Sequence, residues 1–145
     1  MFRLSVRGQY SLKAMLDLSL APPNVSVSVR TIAERQGIPA PFLEKLLLDL
    51  RRAGLVLSQR GAQGGYRLSR PPETIRVSQI LAAVGESLTW PELHPQQATD
   101  WVTVSLWRRL SGLCQQALEN LTLAELYYDV RSRMASDAEA FHFIV

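Results

Sequence analysis

The sequence predicts a mainly α-helical fold with a small β-hairpin: a winged helix-turn-helix followed by one long helix. Three observations predict it. Two short amphipathic segments are joined by a tight, glycine-containing connection. A glycine-rich stretch separates two short runs, Leu55-Val56-Leu57-Ser58 and Tyr66-Arg67-Leu68-Ser69. A long apolar pattern of helical period then runs from Asp100 to Asn120.

Each element has a local cause. Leu12, Met15 and Leu16 form a helical stripe that stops at Ala21-Pro22-Pro23-Asn24, so the first helix is expected over Ser5 to Leu20. Ser28 is a suitable N-cap for a second helix, Val29 to Gln36, with Ile32 and Ala33 inward and Gly37 as a left-handed stop. Pro41 suits the first position of a third helix, where its missing amide proton costs nothing. Phe42, Leu43, Leu46, Leu47 and Leu50 recur three or four apart along it, Glu44, Lys45, Asp49, Arg51 and Arg52 decorate the other face, and Gly54 ends it. The two short runs follow as strands, with the glycines between them at a hairpin tip. Ser78 is expected to cap a helix from Gln79 to Val84. Residues 85–99 read as a loop. In the long helix Trp107, Leu110, Cys114, Ala117 and Leu121 make one stripe and Leu106, Leu110, Leu113 and Leu118 a second. An apolar surface on more than one side calls for a partner to cover it, and Trp107, Leu110, Cys114, Ala117 and Leu121 are the expected dimerisation contacts. Thr122-Leu123-Ala124-Glu125 is a capping box for a last helix, Leu123 to about Met134. The expected division is therefore a winged helix-turn-helix in 1–84, a loop in 85–99, and a dimerisation helix with a C-terminal helix and tail in 100–145.

A chain of 145 residues, 47% of them hydrophobic, can supply one core. No stretch reaches the roughly 20 apolar residues of a membrane span. The N-terminus lacks the apolar block of a signal peptide, so a cytoplasmic protein is expected. The net charge of +3 hides a split: residues 1–76 carry +7 and residues 77–145 carry −4. Arginine supplies most of the basic half, and its planar fork suits phosphates and guanine edges, so a polyanion is the expected partner of that half.

The segment RGAQGGYRLSR, residues 60–70, decides which polyanion. A phosphate-cradling enzyme loop sits between a strand and a helix, and the Walker pattern needs Lys-Ser or Lys-Thr after its last glycine. Here Tyr66-Arg67 follows, and the chain continues as a strand, so no helix N-terminus faces the loop. A wing fits instead: Gly64-Gly65 permits the positive φ angles of a hairpin tip, and Arg60 at its base can reach phosphate or a narrow minor groove.

The run ERQGIPAPFLEKLLLDLRRAGLVLSQRGAQGGYRLSR, residues 34–70, resembles the Rrf2 family of bacterial winged-helix regulators. The similarity extends to Gly8-Gln9-Tyr10, Ala14-Met15-Leu16-Asp17, Ile80-Leu81-Ala82-Ala83-Val84, Leu106-Trp107-Arg108 and Leu121-Thr122-Leu123-Ala124-Glu125-Leu126. This resemblance implies a homodimer whose long helices cross, with the third helix in the major groove and a wing arginine in the minor groove of double-stranded DNA. Carried onto this chain, base reading falls to Pro41, Glu44 and Lys45 and the minor groove to Arg60. Pro41 departs from relatives that place a serine hydroxyl there, so the preferred operator differs. Lys45 can donate to guanine O6 and N7; Glu44 can accept from a cytosine amine or repel phosphates. With their neighbours, the expected DNA-binding set is Pro41, Glu44, Lys45, Arg51, Arg52, Arg60, Gly64, Gly65 and Tyr66. A two-fold dimer reads a near-palindromic operator, as a repressor or an activator.

Many relatives hold an iron–sulfur cluster with three cysteines in the loop and at the start of the long helix. This chain has one cysteine, Cys114, and none in SLTWPELHPQQATDWVTVSLWRR. Aligned on Leu106-Trp107-Arg108, Trp101 takes the place of the last loop cysteine of cluster-holding relatives and Val104 that of a histidine ligand. Neither ligates iron, so no cofactor and no metal site are expected. A cluster on non-standard ligands remains the alternative, drawing on Cys114, His94, His142, Glu86 and Glu92. A buried free cysteine more often serves as a small hydrophobe. Trp90, Trp101 and Trp107 could stack a planar effector, but at such spacing tryptophans more often fill a core or interface. Arg108-Arg109 are expected to pair with Glu119 or Glu125.

No nucleophile, base and orienting group occur together, so no catalytic residue and no enzyme are expected. A protein-interaction module of the same shape is a further alternative. It would respond little to salt, whereas a DNA binder loses affinity with a log–log slope near −0.9 per phosphate contact.

Overall fold

A computed structural model of the protein describes residues 3–87 and 94–144, with side chains to 142. Helix α1 (Val6–Leu20) begins where the Ser5 hydroxyl accepts from the Gly8 amide at 3.2 Å, and it ends at Ala21, before the proline pair. Helix α2 (Val29–Gln36) has the expected bounds: Ser28 Oγ accepts from Thr31 N, and Gly37 closes it at φ 64°. Helix α3 (Ala40–Arg52) starts one residue before the expected place, with Pro39 at the cap and Pro41 at its second position. Neither proline costs a bond there, because the first turn of a helix has no intrahelical acceptors for its amides.

Strands β1 (Val56–Gln59) and β2 (Gly65–Leu68) pair antiparallel, each one residue displaced from the sequence-based expectation. Val27 adds a third rung, exchanging two 2.8 Å bonds with Tyr66. The tip differs in detail from expectation. Gly65 has φ 152° and Gly61 φ 112°, whereas Gly64 is not in the positive region. Gly64 is required by space instead, since a Cβ on it would lie 2.4 Å from the Gln59 carbonyl oxygen.

A 3-10 turn, η1 (Pro72–Thr74), leads to α4 (Val77–Ala83). Ser78 lies inside this helix and does not cap it; Gln79 Oε1 accepts from Arg76 N at 2.9 Å, which moves the start two residues upstream of the expected one. Helix α5 (Ala98–Asn120) also begins early, because Asp100 accepts from the amides of Gln96 and Gln97 at 3.0 and 2.9 Å. Helix α6 (Leu123–Ile144) carries the expected box: Thr122 N to Glu125 Oε2 at 2.7 Å and Glu125 N to Thr122 Oγ1 at 3.2 Å. It runs ten residues past Met134, because no glycine or proline interrupts 123–144 and the stretch is rich in helix formers.

The core lies where α1, α2 and α3 meet β1, Ile75, α4 and the start of α6. Met15, Ile32, Leu43, Leu46, Leu47, Leu50, Ile80 and Leu123 are fully buried in it. Truncating one such leucine costs about 2–5 kcal/mol. Helix α5 packs on α4, and α6 packs on α1 and η1. Two bonds clamp the start of α6 to the domain, Leu123 N to Ile75 O and Val77 N to Leu121 O, both 2.9 Å.

Candidate nucleic-acid interface

The periodicity of α3 positions the candidate site. Leu43, Leu46, Leu47 and Leu50 point into the core with no exposed surface, so Pro41, Glu44 and Lys45 project from the opposite face and are exposed. Neither Glu44 nor Lys45 makes a hydrogen bond or ion pair among the described residues. Arg60 is likewise exposed and unpaired, at the end of β1. These side chains are available to an external partner.

The other expected contacts are more constrained. Arg51 donates to Ser58 Oγ at 3.3 Å, and Arg52 lies 3.7 Å from Asp49. Both remain exposed at the last turn of α3, where a cation also complements the helix dipole. Tyr66 is half-buried against the core, and its backbone is committed to Val27. Gly65 is held by the same pairing: a Cβ on it would meet the Val27 carbonyl oxygen at 2.2 Å. Gly64, Gly65 and Tyr66 thus shape the wing and tie it to the segment entering α2.

Sequence reasoning missed the polar ties that orient the reading helices. Asp17, 2% exposed on α1, accepts from Arg35 Nη2 at 2.6 Å, Arg35 Nε at 3.1 Å and Gln36 Nε2 at 2.7 Å, fastening α1 to the end of α2. Arg7 donates to Asp49 Oδ2 at 2.7 Å and to the Val84 carbonyl at 3.0 Å, joining α1 to α3 and to the end of α4. Glu86 accepts from Ser5 N at 3.1 Å and from the Ser5 hydroxyl. The signal for the first tie was in the sequence: a carboxylate one residue from Leu16 and Leu18, on an apolar stripe, is buried only with a partner.

On α5 the expected dimerisation stripe divides. Trp107 and Cys114 of α5, and Leu121 just after it, are half-buried. Leu110 and Ala117 are exposed. Beside them Leu106 and Leu113 of the second stripe are 53% and 63% exposed, and Trp101, on neither stripe, is 58% exposed. Arg108 and Arg109 do not pair with the expected acids: Glu119 accepts from Gln115 Nε2 at 2.9 Å, and Glu125 caps Thr122. Hydrogen bonding to Thr122, with Arg76 nearby, holds the Glu125 carboxyl below its ordinary value, and the amides of Gln96 and Gln97 do the same for Asp100.

The metal-ligand alternatives fare as follows. Among the described residues no three of His, Cys, Asp and Glu converge. Cys114 is half-buried in the middle of α5, His94 and His142 are exposed, and the Glu86 oxygens are engaged by Ser5. Trp90 and Glu92 lie outside the described residues. Val104, at the histidine position of cluster-holding relatives, is buried, and Trp101 is exposed on the first turn of α5. A cysteine-held cluster needs several thiolates, and one thiol per chain does not fit it. No helix among the described residues is long and apolar enough to cross a membrane.

Residues 4–129 match the family model Rrf2, described as an iron-dependent transcriptional regulator. A predicted HTH-type transcriptional regulator of Synechocystis sp. is 51% identical over 146 residues, covering 99% of each chain. The HTH-type transcriptional regulator IscR of Vibrio cholerae is 40% identical over 147 residues, 99% of this chain and 85% of its own. Among solved structures, CymR, the global cysteine regulator of B. subtilis, superposes with a TM-score of 0.79 at 30% identity over 88% of this chain and 98% of its own. IscR of T. potens superposes with a TM-score of 0.73 at 38% identity, over 89% of this chain and 88% of its own.

Proposed function

Since the chain belongs to the Rrf2 family of winged-helix transcriptional regulators and not to an enzyme family, we propose that it acts as a homodimeric, sequence-specific DNA-binding regulator without a cysteine-held cluster. The observation that carries this reading is the free, exposed trio of Glu44, Lys45 and Arg60 on the basic half of the chain. Helix α3 enters the major groove with Pro41, Glu44 and Lys45 at base edges. Arg60 enters the adjacent minor groove, and Arg51 and Arg52 lie near phosphates. Phosphate contacts supply the salt-sensitive share of affinity, and base contacts supply discrimination.

A second copy covers Leu106, Leu110, Leu113 and Ala117, which recur at spacings of four, three and four, the spacing of a helix–helix seam. The dimer then presents two reading helices to half-sites about one helical turn apart. The acidic C-terminal half keeps the phosphates on the other face. No step of this mechanism runs through a metal, because the chain lacks the donors for the family's thiolate-held group.

Selection of bound fragments from a random duplex library by the purified protein tests the reading. A near-palindromic consensus is expected. Within it, Lys45→Ala should relax preference at one position per half-site by about 1–3 kcal/mol. Arg60→Ala should weaken binding and lower the salt slope by about one unit per subunit. No enriched palindrome, or affinity insensitive to salt, would overturn it.

A further inference from the structure

Two arginines of the basic half line a cavity that DNA reading does not use. The cavity, about 760 Å3, opens between the end of α1 with the α1–α2 loop, the segment from β2 through η1, and the start of α6. Arg67 donates to the neutral Asn24 Oδ1 at 3.3 Å. Arg70 donates to Gln79 Oε1 at 3.1 Å and to the Thr74 carbonyl at 3.4 Å. Neither has a carboxylate partner among the described residues, whereas Arg7, Arg30, Arg35, Arg52 and Arg133 all do. Glu73 is the one carboxylate on the lining, so the wall keeps a positive surplus.

Ser19, Asn24 and Ser69 add neutral polar groups, and most of the remaining wall is apolar or aromatic, with Leu20, the proline pairs at 22–23 and 71–72, and the rings of Tyr127 and Tyr128. Backbone turns hold two parts of its rim. Val25 N bonds Pro22 O at 3.1 Å, Thr74 N bonds Pro71 O at 2.9 Å, and Asn24 holds a left-handed turn at φ 64°. A concavity of roughly 300–1,000 Å3, mostly apolar with a few polar groups, is the usual form of a small-molecule site. A guanidinium with only neutral acceptors retains its capacity for a two-pronged bond to an oxyanion.

We propose that this cavity binds a small organic anion with an apolar or aromatic body. Its carboxylate or phosphate lies on Arg67 and Arg70, and its body rests against the prolines and Tyr127. The site joins the two functional halves of the chain. Its α1–α2 loop continues into Val27, which pairs with Tyr66 of the wing, and its far wall is the first part of α6. A bound anion would therefore couple the reading head to the C-terminal helices; this consequence rests on the DNA-binding reading, but the binding itself does not.

The probe is 8-anilinonaphthalene-1-sulfonate, an aromatic body with one anionic group, titrated by fluorescence into the full chain. The neutral N-phenyl-1-naphthylamine reports binding driven by apolar area alone, including any on α5. Arg67→Gln/Arg70→Gln should weaken the sulfonate probe about tenfold or more and leave the neutral probe unchanged. Benzoate or phenyl phosphate should displace the sulfonate from the wild type, and benzyl alcohol should not. Amides of residues 20–25 should gain hydrogen-exchange protection when the sulfonate binds. Equal affinity of the sulfonate for wild type and variant would overturn the proposal. So would a variant whose only defect is a lower salt slope on DNA, which would make the two arginines phosphate contacts.

Discussion

Replacing Asp17 by Asn keeps the side chain's shape and removes its charge. The substitution abolishes the two-pronged pair with Arg35, at 2.6 and 3.1 Å, and turns one acceptor into a donor facing the Arg35 or Gln36 donors. Breaking a buried ion pair from one side costs about 3–5 kcal/mol when the remaining charge is stranded. Here it is not stranded, because the Arg35 side chain is 52% exposed and water can solvate the freed guanidinium. Desolvation of the carboxylate, 2% exposed, is also relieved. The expected net loss is therefore about 2–3 kcal/mol, below the cost of a stranded charge.

Removing Arg35 instead leaves the carboxylate buried with Gln36 alone, so Arg35→Ala should cost at least as much as Asp17→Asn. The double variant should cost about 2 kcal/mol less than the sum of the two. Urea unfolding followed by far-ultraviolet circular dichroism, at one fixed protein concentration, measures all three. With a slope of about 2 kcal/mol per molar, the Asp17→Asn midpoint should fall by about 1–1.5 M. A loss below about 0.5 kcal/mol, or additive single effects, would refute the view that this pair fastens α2 to α1.

Other perturbations test other parts of the structure. Gly65→Ala should break the Val27–Tyr66 pairing, because its Cβ would sit 2.2 Å from a carbonyl oxygen; loss of hydrogen-exchange protection at the Val27 and Tyr66 amides and weaker DNA binding are the readouts. Leu113→Glu places a charge on the exposed stripe of α5 and should shift the chain from dimer to monomer in sedimentation equilibrium while leaving its helicity intact. The Glu125 carboxyl is held below its ordinary value in the folded state, so its contribution is present at neutral pH and above the unfolded value of about 4. That contribution is lost as pH falls through the depressed folded value. The Thr122 amide, which donates to Glu125, should then lose hydrogen-exchange protection relative to its intrinsic rate at each pH, and Glu125→Gln should remove this pH dependence.

How much of this was legible in the sequence depended on the range of the interaction concerned. Helix α2 was readable to the residue because Ser28 and Gly37 act within three or four positions of themselves. The capping box at Thr122 was readable for the same reason. The start of α4 was not, because Gln79 reached back to Arg76 where Ser78 was expected to act. The end of α6 carried no local stop signal at all. Long-range partners were hidden altogether: nothing near Val27 announces Tyr66, and nothing near Arg7 announces Asp49. On α5 both apolar stripes were visible, but which of them faces α4 is a property of the packed subunit.

The candidate contacts Glu44 and Lys45 ride on a helix whose inner face is four leucines, and apolar contact alone does not determine direction. Hydrogen bonds do. Polar ties run from α1 to the end of α2 through Asp17, to α3 through Arg7 and Asp49, to the end of α4 through Arg7 and Val84, and to the segment after α4 through Ser5 and Glu86. Helix α6 packs on the same helix. α1 touches no proposed base, yet it is the frame against which both helices of the helix-turn-helix are held. Substitutions at Arg7 or Asp17 should then alter operator affinity with unchanged salt slope, the reverse of what loss of a phosphate contact produces.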